Sequence, residues 1–400
     1  MVETAIKVLS VIFLVPAALI SAYYVFLVAV ALAVRPLRKA APEGEPGSFA
    51  IVIPAHNEED AIGDTLRSCL ALDYPKDKYT VYCIADNCTD STASVARQMG
   101  AVSLERHDLD NRGKGFALEW AFERILPKGH DAVVVLDADC TIDSRGLRIF
   151  DSHLKGGADV LQASYVTSNP DESPISYASA VGNVIENVLF YAPKSALGLA
   201  VFLRGTGMAF KSSVLKRTPW SAHSIAEDVE YGIRLLEDGY KIRFIDEVRV
   251  LSKFPATVAQ LKVQRERWAG GNLKLGRLNA LRLFFKGIVC GRLDLMDAGW
   301  TFLALSRPLV LLMSVVAFAS AGAAILLSPS ALSSLIFVSS SAILLIQAAY
   351  FMLGIVILGI SWQRAYLLLK APAVVAGLAV VALRGVFGAG GDVWVRTPRA

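Results

Sequence analysis

Apolar residues fall along this chain in two kinds of run, long unbroken ones at its two ends and short ones between. Residues 8–34 contain no Asp, Glu, Lys or Arg, and residues 298–363 contain only Arg307, so almost every ionisable group lies between Arg35 and Asp297. A helix over Val8–Val34 reaches about 40 Å at ~1.5 Å per residue, more than the roughly 30 Å of bilayer hydrocarbon, which predicts a tilted membrane span. Lys7 before the run and Ala29, Ala31 and Ala33 near its end also fit a cleaved signal peptide. The apolar core is too long for one. The second long run divides at Ser328-Pro329-Ser330, predicting a hairpin of two spans near Arg307–Leu327 and Leu332–Ile360. Ala371–Leu383 is too short to span and reads as an interfacial or re-entrant segment. Arg35, Arg38 and Lys39 follow the first span, and Arg364 and Lys370 follow the hairpin. The positive-inside rule then puts the intervening block in the cytoplasm and Met1 outside, with the chain integral to the plasma (inner) membrane.

Between the spans the pattern changes to short apolar runs alternating with helical spacing. Phe49–Ile53, Tyr79–Ile84, Ala101–Glu105 and Ala132–Leu136 read as strands, and Glu59–Leu72, Asp90–Met99 and Lys114–Leu126 as helices. Ala132–Leu136 is wholly apolar, as in a strand covered on both faces. The repetition predicts an α/β fold, a doubly wound, mostly parallel sheet that binds its ligand beyond the carboxyl ends of the strands. Lys274–Met296 interleaves Lys274, Arg277, Arg282, Lys286 and Arg292 with Leu275, Leu278, Leu281, Phe284, Phe285 and Ile288. That mixture suits a helix at the lipid headgroups, or a plain amphipathic surface helix. The expected organisation is a transmembrane helix in 1–40, a cytoplasmic domain in 41–272 and an interfacial helix in 273–298. A transmembrane hairpin in 299–363 and an interfacial or re-entrant segment in 364–400 complete it.

Composition narrows the function. The chain is 54% apolar and 19% charged with a net charge of +4, and no basic or aromatic-basic strip argues for nucleic acid. Five cysteines form no CxxC pair and read as small apolar residues in a reduced compartment. No GxGxxG follows a strand, Arg112-Gly113-Lys114-Gly115 lacks the spacing of a Walker loop, and the five histidines form no HExxH.

The polar clusters sit where strands end: Pro54-Ala55-His56-Asn57-Glu58, Asp86-Asn87-Cys88-Thr89-Asp90 and Asp137-Ala138-Asp139. A turned Asp-x-Asp gathers carboxylates around a hard divalent cation that in turn holds a diphosphate. A lone Asp-x-Asp is more often a solvated turn, but its place after Val133-Val134-Val135-Leu136, beside two other polar strand ends, favours the cation. Glu227-Asp228 precedes the helical run Ile233–Glu237. A carboxylate at a helix N-terminus stays ionised easily, which suits a base accepting a hydroxyl proton, although simple capping gives the same pattern. Gln264-Arg265-Glu266-Arg267-Trp268 places Gln264, Arg267 and Trp268 on one helical side. There Arg267 can offset a leaving diphosphate and Trp268 can stack on a sugar, where a single pair would more often be surface packing.

These residues, in order, resemble the family 2 glycosyltransferases of the membrane-embedded polysaccharide-synthase type, such as cellulose, hyaluronan and chitooligosaccharide synthases. The matching motifs are PAHNE (54–58), ADNCTD (85–90), RGKG (112–115), DAD (137–139), FLRGTGMAF (202–210), AED (226–228) and QRERW (264–268). The resemblance implies a GT-A-like domain that binds a nucleotide-sugar, usually UDP-linked, with Mg2+ or Mn2+, and inversion at the anomeric carbon to give a β-linkage. It implies that Pro54, Asn57, Glu58 and Asp86 line the nucleoside site and that Lys114 approaches the diphosphate. Asp137 would sit on the nucleotide side, with Asp139 as the main metal ligand. Asp228 would be the base, helped by Glu227. Gly205, Thr206 and Gly207 would form the acceptor loop, and Gln264, Arg267 and Trp268 would bound the acceptor and diphosphate sites. His56 in place of Tyr, Ala226 in place of Thr and Arg204 in place of Cys depart from the common pattern.

The expected activity is hexosyl or N-acetylhexosaminyl transfer onto a growing β-linked glycan at the cytoplasmic membrane face. Single addition to a membrane lipid is the alternative within the class, and a catalytically silent membrane scaffold is the alternative outside it. Expected partners are the donor, a glycan or lipid acceptor and membrane lipids. Three spans make a narrow channel, which a second copy or an export partner would enlarge.

Overall fold

The structure, a computed structural model, describes residues 2–33, 44–304, 307–368 and 377; within these, the side chains of 258, 263, 265–270, 272, 273 and 303 are not described. Except for residue 377, the predicted segment Ala371–Leu383 lies outside the described residues. Helix α1 (Val2–Ala33) leads to β1 (Phe49–Ala55), α2 (Ile62–Leu70), β2 (Tyr79–Asp86), α3 (Thr92–Gln98), β3 (Val102–Arg106), α4 (Lys114–Ile125) and β4 (Ala132–Val135). Then come β5 (Cys140–Ile142), α5 (Gly146–Lys155), β6 (Val160–Thr167), α6 (Pro174–Val184), a π-helical turn (Ile185–Tyr191) and α7 (Ala192–Ala196). The domain continues with β7 (Met208–Lys211), α8 (Ser212–Arg217), α9 (Glu227–Glu237) and β8 (Ile242–Ser252). Helices α10 (Val258–Cys290), α11 (Leu293–Ala304), α12 (Arg307–Leu327), α13 (Ala331–Leu358) and α14 (Trp362–Leu368) follow.

The strands form one sheet in the order β3-β2-β1-β4-β7-β6-β8-β5. The β3-β2-β1-β4 half is parallel, as the βα alternation predicts. The other half is mixed: β7 runs against β4 and β6, β5 runs against β8, and β6 and β8 are parallel. Alternate residues of β1 feed opposite cores. Phe49, Ile51 and Ile53 pack with Ile62, Leu66, Leu147 and Phe150 on one face. Ala50 and Val52 join Leu118, Phe122, Phe202 and Tyr231 on the other, in a core that continues into Tyr24 and Leu27 of α1 and Tyr350 of α13. Each large side chain so buried contributes about 1.5–3 kcal/mol.

Two helix starts differ from the sequence reading. Helix α2 begins at Ile62 because residues 58–61 form a turn, with the Glu58 carbonyl accepting from the Ala61 and Ile62 amides at 3.0 and 2.9 Å. Helix α3 begins at Thr92, and Asp90 caps it by accepting the Thr92 N–H at 3.0 Å.

Helices α1, α12 and α13 are long and apolar enough to cross a membrane. Gln347 in α13 donates to Ser21 of α1 at 3.2 Å and to Ser314 of α12 at 2.6 Å, hydrogen bonds that join spans where lipid offers no partner. Under them Lys194, 0% exposed, meets Asp297 of α11 at 2.9 Å. Asp297 also accepts from the Tyr23 hydroxyl of α1 and from the Ala200 amide. Three parts of the chain therefore meet on one carboxylate.

Lys274–Met296 is not one helix but falls on α10 and α11. Helix α10 runs unbroken from Val258 through position 273 and stops at Gly291, whose φ of +64° suits glycine. Arg282 binds Glu237 through both terminal nitrogens at 2.8 and 3.0 Å, and Lys286 does so at 2.6 Å. Those charges face the end of α9, while Leu278, Leu281, Phe285, Ile288 and Val289 remain exposed.

Candidate active site

The strand ends of the parallel half meet three loops. Lys114, the first residue of α4, donates to Asp137 Oδ1 at 2.6 Å and to the Gly205 carbonyl at 2.7 Å, and lies 3.5 Å from Glu227 Oε1. Asp137 follows β4, Gly205 precedes β7 and Glu227 opens α9, so one ammonium gathers groups from three distant parts of the sequence. Gly205 and Gly207 have φ of +77° and +65°. A β-carbon on Gly205 would stand 3.3 Å from Asp228 Oδ2, so this loop and the Asp228 carboxylate lie side by side. The fully buried Gln162 holds the loop from behind: its amide nitrogen donates to the Thr206 carbonyl at 2.9 Å and its oxygen accepts the Arg204 N–H at 2.8 Å. Thr206 Oγ1 accepts the Asp137 N–H at 3.1 Å.

Burial and clustered charge set the protonation states. Burial raises the Glu227 carboxyl pKa to about 7, because the Lys114 charge only partly opposes it and the Asp228 charge adds to it. Burial also raises Asp228, again against Lys114. Burial works against the Lys114 charge, but Asp137, Glu227 and Asp228 outweigh it and hold the ammonium protonated. The α9 N-terminus favours the ionised carboxylates.

The loop that leads to Glu227 and Asp228 rests on α4. A β-carbon on Gly115 would lie 2.1 Å from the Ala222 carbonyl oxygen, and both are backbone positions that do not yield easily. Gly115→Ala is therefore expected to cost about 1–3 kcal/mol in stability and to lower turnover by displacing residues 222–228. Thermal unfolding and kcat measured together check this; unchanged values in both would show that the loop is not seated there.

The donor set fits a hard divalent cation. Ligand atoms of Asp137, Asp139 and Cys140 all lie within 4.8 Å of one another. The two carboxylates are hard oxygen ligands, the kind that Mg2+ and Mn2+ take.

The residues expected on the nucleoside side form a second group. Pro54 lies in β1 opposite Ile84, and His56 Nδ1 is 2.7 Å from the Asp86 carbonyl oxygen. Asn57, at φ 55°, accepts the Thr89 N–H at 2.7 Å, and the Glu58 N–H donates to Thr92 at 2.8 Å. Asp86 does not join the Lys114 group. Its Oδ1 takes the Arg106 guanidinium at 2.6 Å.

At the opposite end, Arg204 donates to Asn187 at 2.6 Å and pairs with Glu186 at 3.1 Å, both on the π-helical turn. Its guanidinium also lies against the Tyr165 and Tyr191 rings, 5.5 and 5.8 Å from their centroids. Gln264 Oε1 is buried and has no hydrogen-bond partner among the described residues. The Arg267 and Trp268 side chains lie outside the described residues. Their helix passes close to the start of α9: a β-carbon on Gly271 would be 3.0 Å from Ala226 Cβ. Arg106, Gln162, Tyr165, Glu186 and Asn187 were not singled out in the sequence. Gln162 and Tyr165 lie in an ordinary strand, and Arg106 ends one that reads as exposed.

A sequence profile described as glycosyltransferase like family 2 matches residues 46–271. The probable glycosyltransferase YdaM of Bacillus subtilis (strain 168) is 27% identical over 252 residues, 59% of this chain and 58% of that protein. The poly-beta-1,6-N-acetyl-D-glucosamine synthase of Staphylococcus epidermidis is 28% identical over 268 residues, 62% of this chain and 59% of that protein. The match thus spans less than two thirds of the length of these relatives. Among solved structures, the mannosyltransferase PcManGT from Pyrobaculum calidifontis in complex with GDP-Man and Mn2+ superposes with a TM-score of 0.60. It is 17% identical, over 96% of this chain and 99% of that one, a likeness of fold.

Proposed function

The chain belongs to the glycosyltransferase-like family 2, and from that premise we propose that it transfers a sugar from a nucleotide-sugar, a UDP-sugar, to a growing β-linked glycan at the cytoplasmic membrane face. The observation that carries the reading is the convergence of Asp137, Gly205, Glu227 and Asp228 around Lys114. Asp86, Asn57 and Glu58 hold the nucleoside, with Pro54 in the strand beneath. Lys114 faces the diphosphate. An acceptor hydroxyl beside Gly205 gives its proton to Asp228 as its oxygen bonds to the anomeric carbon, and the bond from that carbon to the diphosphate breaks on the opposite face. Glu227 helps keep negative charge at the base, and Thr206 and Gly207 shape the acceptor loop. Gln264, Arg267 and Trp268 bound the acceptor and diphosphate from α10. Asp137 and Asp139 would hold a divalent cation, which would supply positive charge towards the diphosphate.

The domain limits 41–272, the cytoplasmic placement with Met1 outside, and a second copy or export partner belong to the same proposal. Its test is to offer UDP-, GDP- and TDP-sugars to the full chain in detergent and follow donor consumption and product length. A ladder of products from a UDP-sugar supports it, one added sugar supports lipid glycosylation, and no consumption overturns it. Failure of every nucleotide-sugar to protect the protein from thermal unfolding would favour a silent scaffold.

A pH dependence follows. The Glu227–Asp228 pair takes up a proton as pH falls through about 7, so kcat/KM is expected to fall on that acid limb, displaced downward when a cation is bound. The pair's own effect on stability has the opposite sense: with folded-state pKa values raised, its contribution is fully present below the unfolded carboxyl values and is lost as pH rises towards 7. Glu227→Gln should move the limb to lower pH; a limb unmoved by that change would assign it to another group.

A further inference from the structure

The nucleoside-side carboxylate is one half of a buried ion pair. Asp86 ends β2 and Arg106 ends β3, and the two are opposite each other in the parallel register. They are 6% and 4% exposed. Arg106 Nη1 donates to Asp86 Oδ1 at 2.6 Å, and the Asn87 amide donates to the same oxygen at 3.2 Å. Arg106 Nη2 is itself fixed by Asp108 Oδ2 at 2.8 Å and by the Asn111 carbonyl at 2.7 Å, so the guanidinium cannot swing away. Among the described residues no hydrogen bond reaches Asp86 Oδ2, whereas Oδ1 takes both donors.

On the reading of this region as the nucleoside site, we propose that Arg106 is the positioning residue that sets base specificity, occupying Asp86 Oδ1 so that the donor's base is read through Oδ2 alone. A free carboxylate has two oxygens that accept side by side. Guanine presents two parallel donors, N1–H and the 2-amino group, which match both oxygens; with Oδ1 already taken twice, one guanine donor goes unpaired in a buried site. Cytosine and adenine present a ring nitrogen lone pair towards the carboxylate, which repels it. Uracil and thymine present one N–H, the complement of one acceptor. A site built to pair one group discriminates strongly against a ligand that leaves a polar group unpaired. The solved fold relative holds GDP-Man, so the fold alone does not choose the base.

The test is equilibrium binding of UDP, TDP, GDP, CDP and ADP to the full chain in detergent, for the wild type and for Arg106→Met and Arg106→Lys. The wild type is expected to bind UDP and TDP at least about tenfold tighter than GDP. Arg106→Met, which removes the charged and shorter of the two donors to Oδ1 and leaves only the longer Asn87 contact, is expected to reduce the UDP-to-GDP ratio about tenfold, whereas Arg106→Lys, which keeps the charge and one donor, retains most of it. A fold-maintaining role alone would change all affinities together and leave the ratio unmoved. A wild type that binds GDP as tightly as UDP overturns the proposal without any variant, as does a folded Arg106→Met with the wild-type ratio. Those results leave glycosyl transfer standing; a wild type that binds none of the five nucleotides would remove the nucleotide-sugar reading itself.

Discussion

Asp228→Asn is expected to lower kcat by about 100- to 10,000-fold, the range a general base supplies, while leaving UDP affinity nearly unchanged. The substitution conserves volume, and the amide oxygen can still accept the Val229 N–H that Asp228 Oδ1 accepts at 2.8 Å. What it removes is the capacity to take a proton beside Gly205. It also removes one of the two charges that hold Glu227 high, so the residual activity should show its acid limb at lower pH. Calorimetric UDP binding and single-turnover transfer read on the same preparation separate the effects. A variant that turns over within tenfold of the wild type would take Asp228 out of the mechanism.

Asp139→Ala is expected to cost about 100- to 1,000-fold in kcat/KM, comparable to the loss of one preorganised electrostatic contact to a transition state. Chelation with EDTA should silence the wild type, and Mn2+ or Mg2+ should restore it but not the variant. Asp139 is the more diagnostic of the two carboxylates. Asp137 also pairs with Lys114 at 2.6 Å, so its removal would disturb the ammonium and the base helix together. Asp139 is exposed and its loss should leave the thermal unfolding temperature close to the wild type. Transfer that persists in a chelated preparation would remove the cation from the account.

Much of the parallel half was legible because its signals are local. Val133–Leu136 is a run of apolar residues that only a twice-covered strand explains, and the polar clusters follow their strands directly. The mixed half was not legible. Cys140–Ile142 finds its partner in Val250–Ser252, more than a hundred residues on, and no local pattern encodes that pairing. Charge partners far along the chain were not legible: Arg282 and Lys286 both reach Glu237, which α9 brings beside them. The motifs named Lys114, Asp137, Glu227 and Asp228, but only folding places them around one ammonium. The ion pair that Asp86 makes with Arg106 was not legible either, because it joins the ends of two strands twenty residues apart.

The carboxylate of Asp297, shared by Lys194, Tyr23 and Ala200, bears on how this protein can be handled. A fragment holding only β1 to β8, residues 49–252, would leave Lys194 without Asp297 and strip Tyr24 and Leu27 of α1 from the core beneath the sheet. Breaking a buried pair in this way costs about 3–5 kcal/mol before the lost apolar packing is counted, a large share of a domain's total stability. The catalytic unit is thus mounted on its anchor rather than tethered to it, and any soluble version would have to be redesigned along that seam.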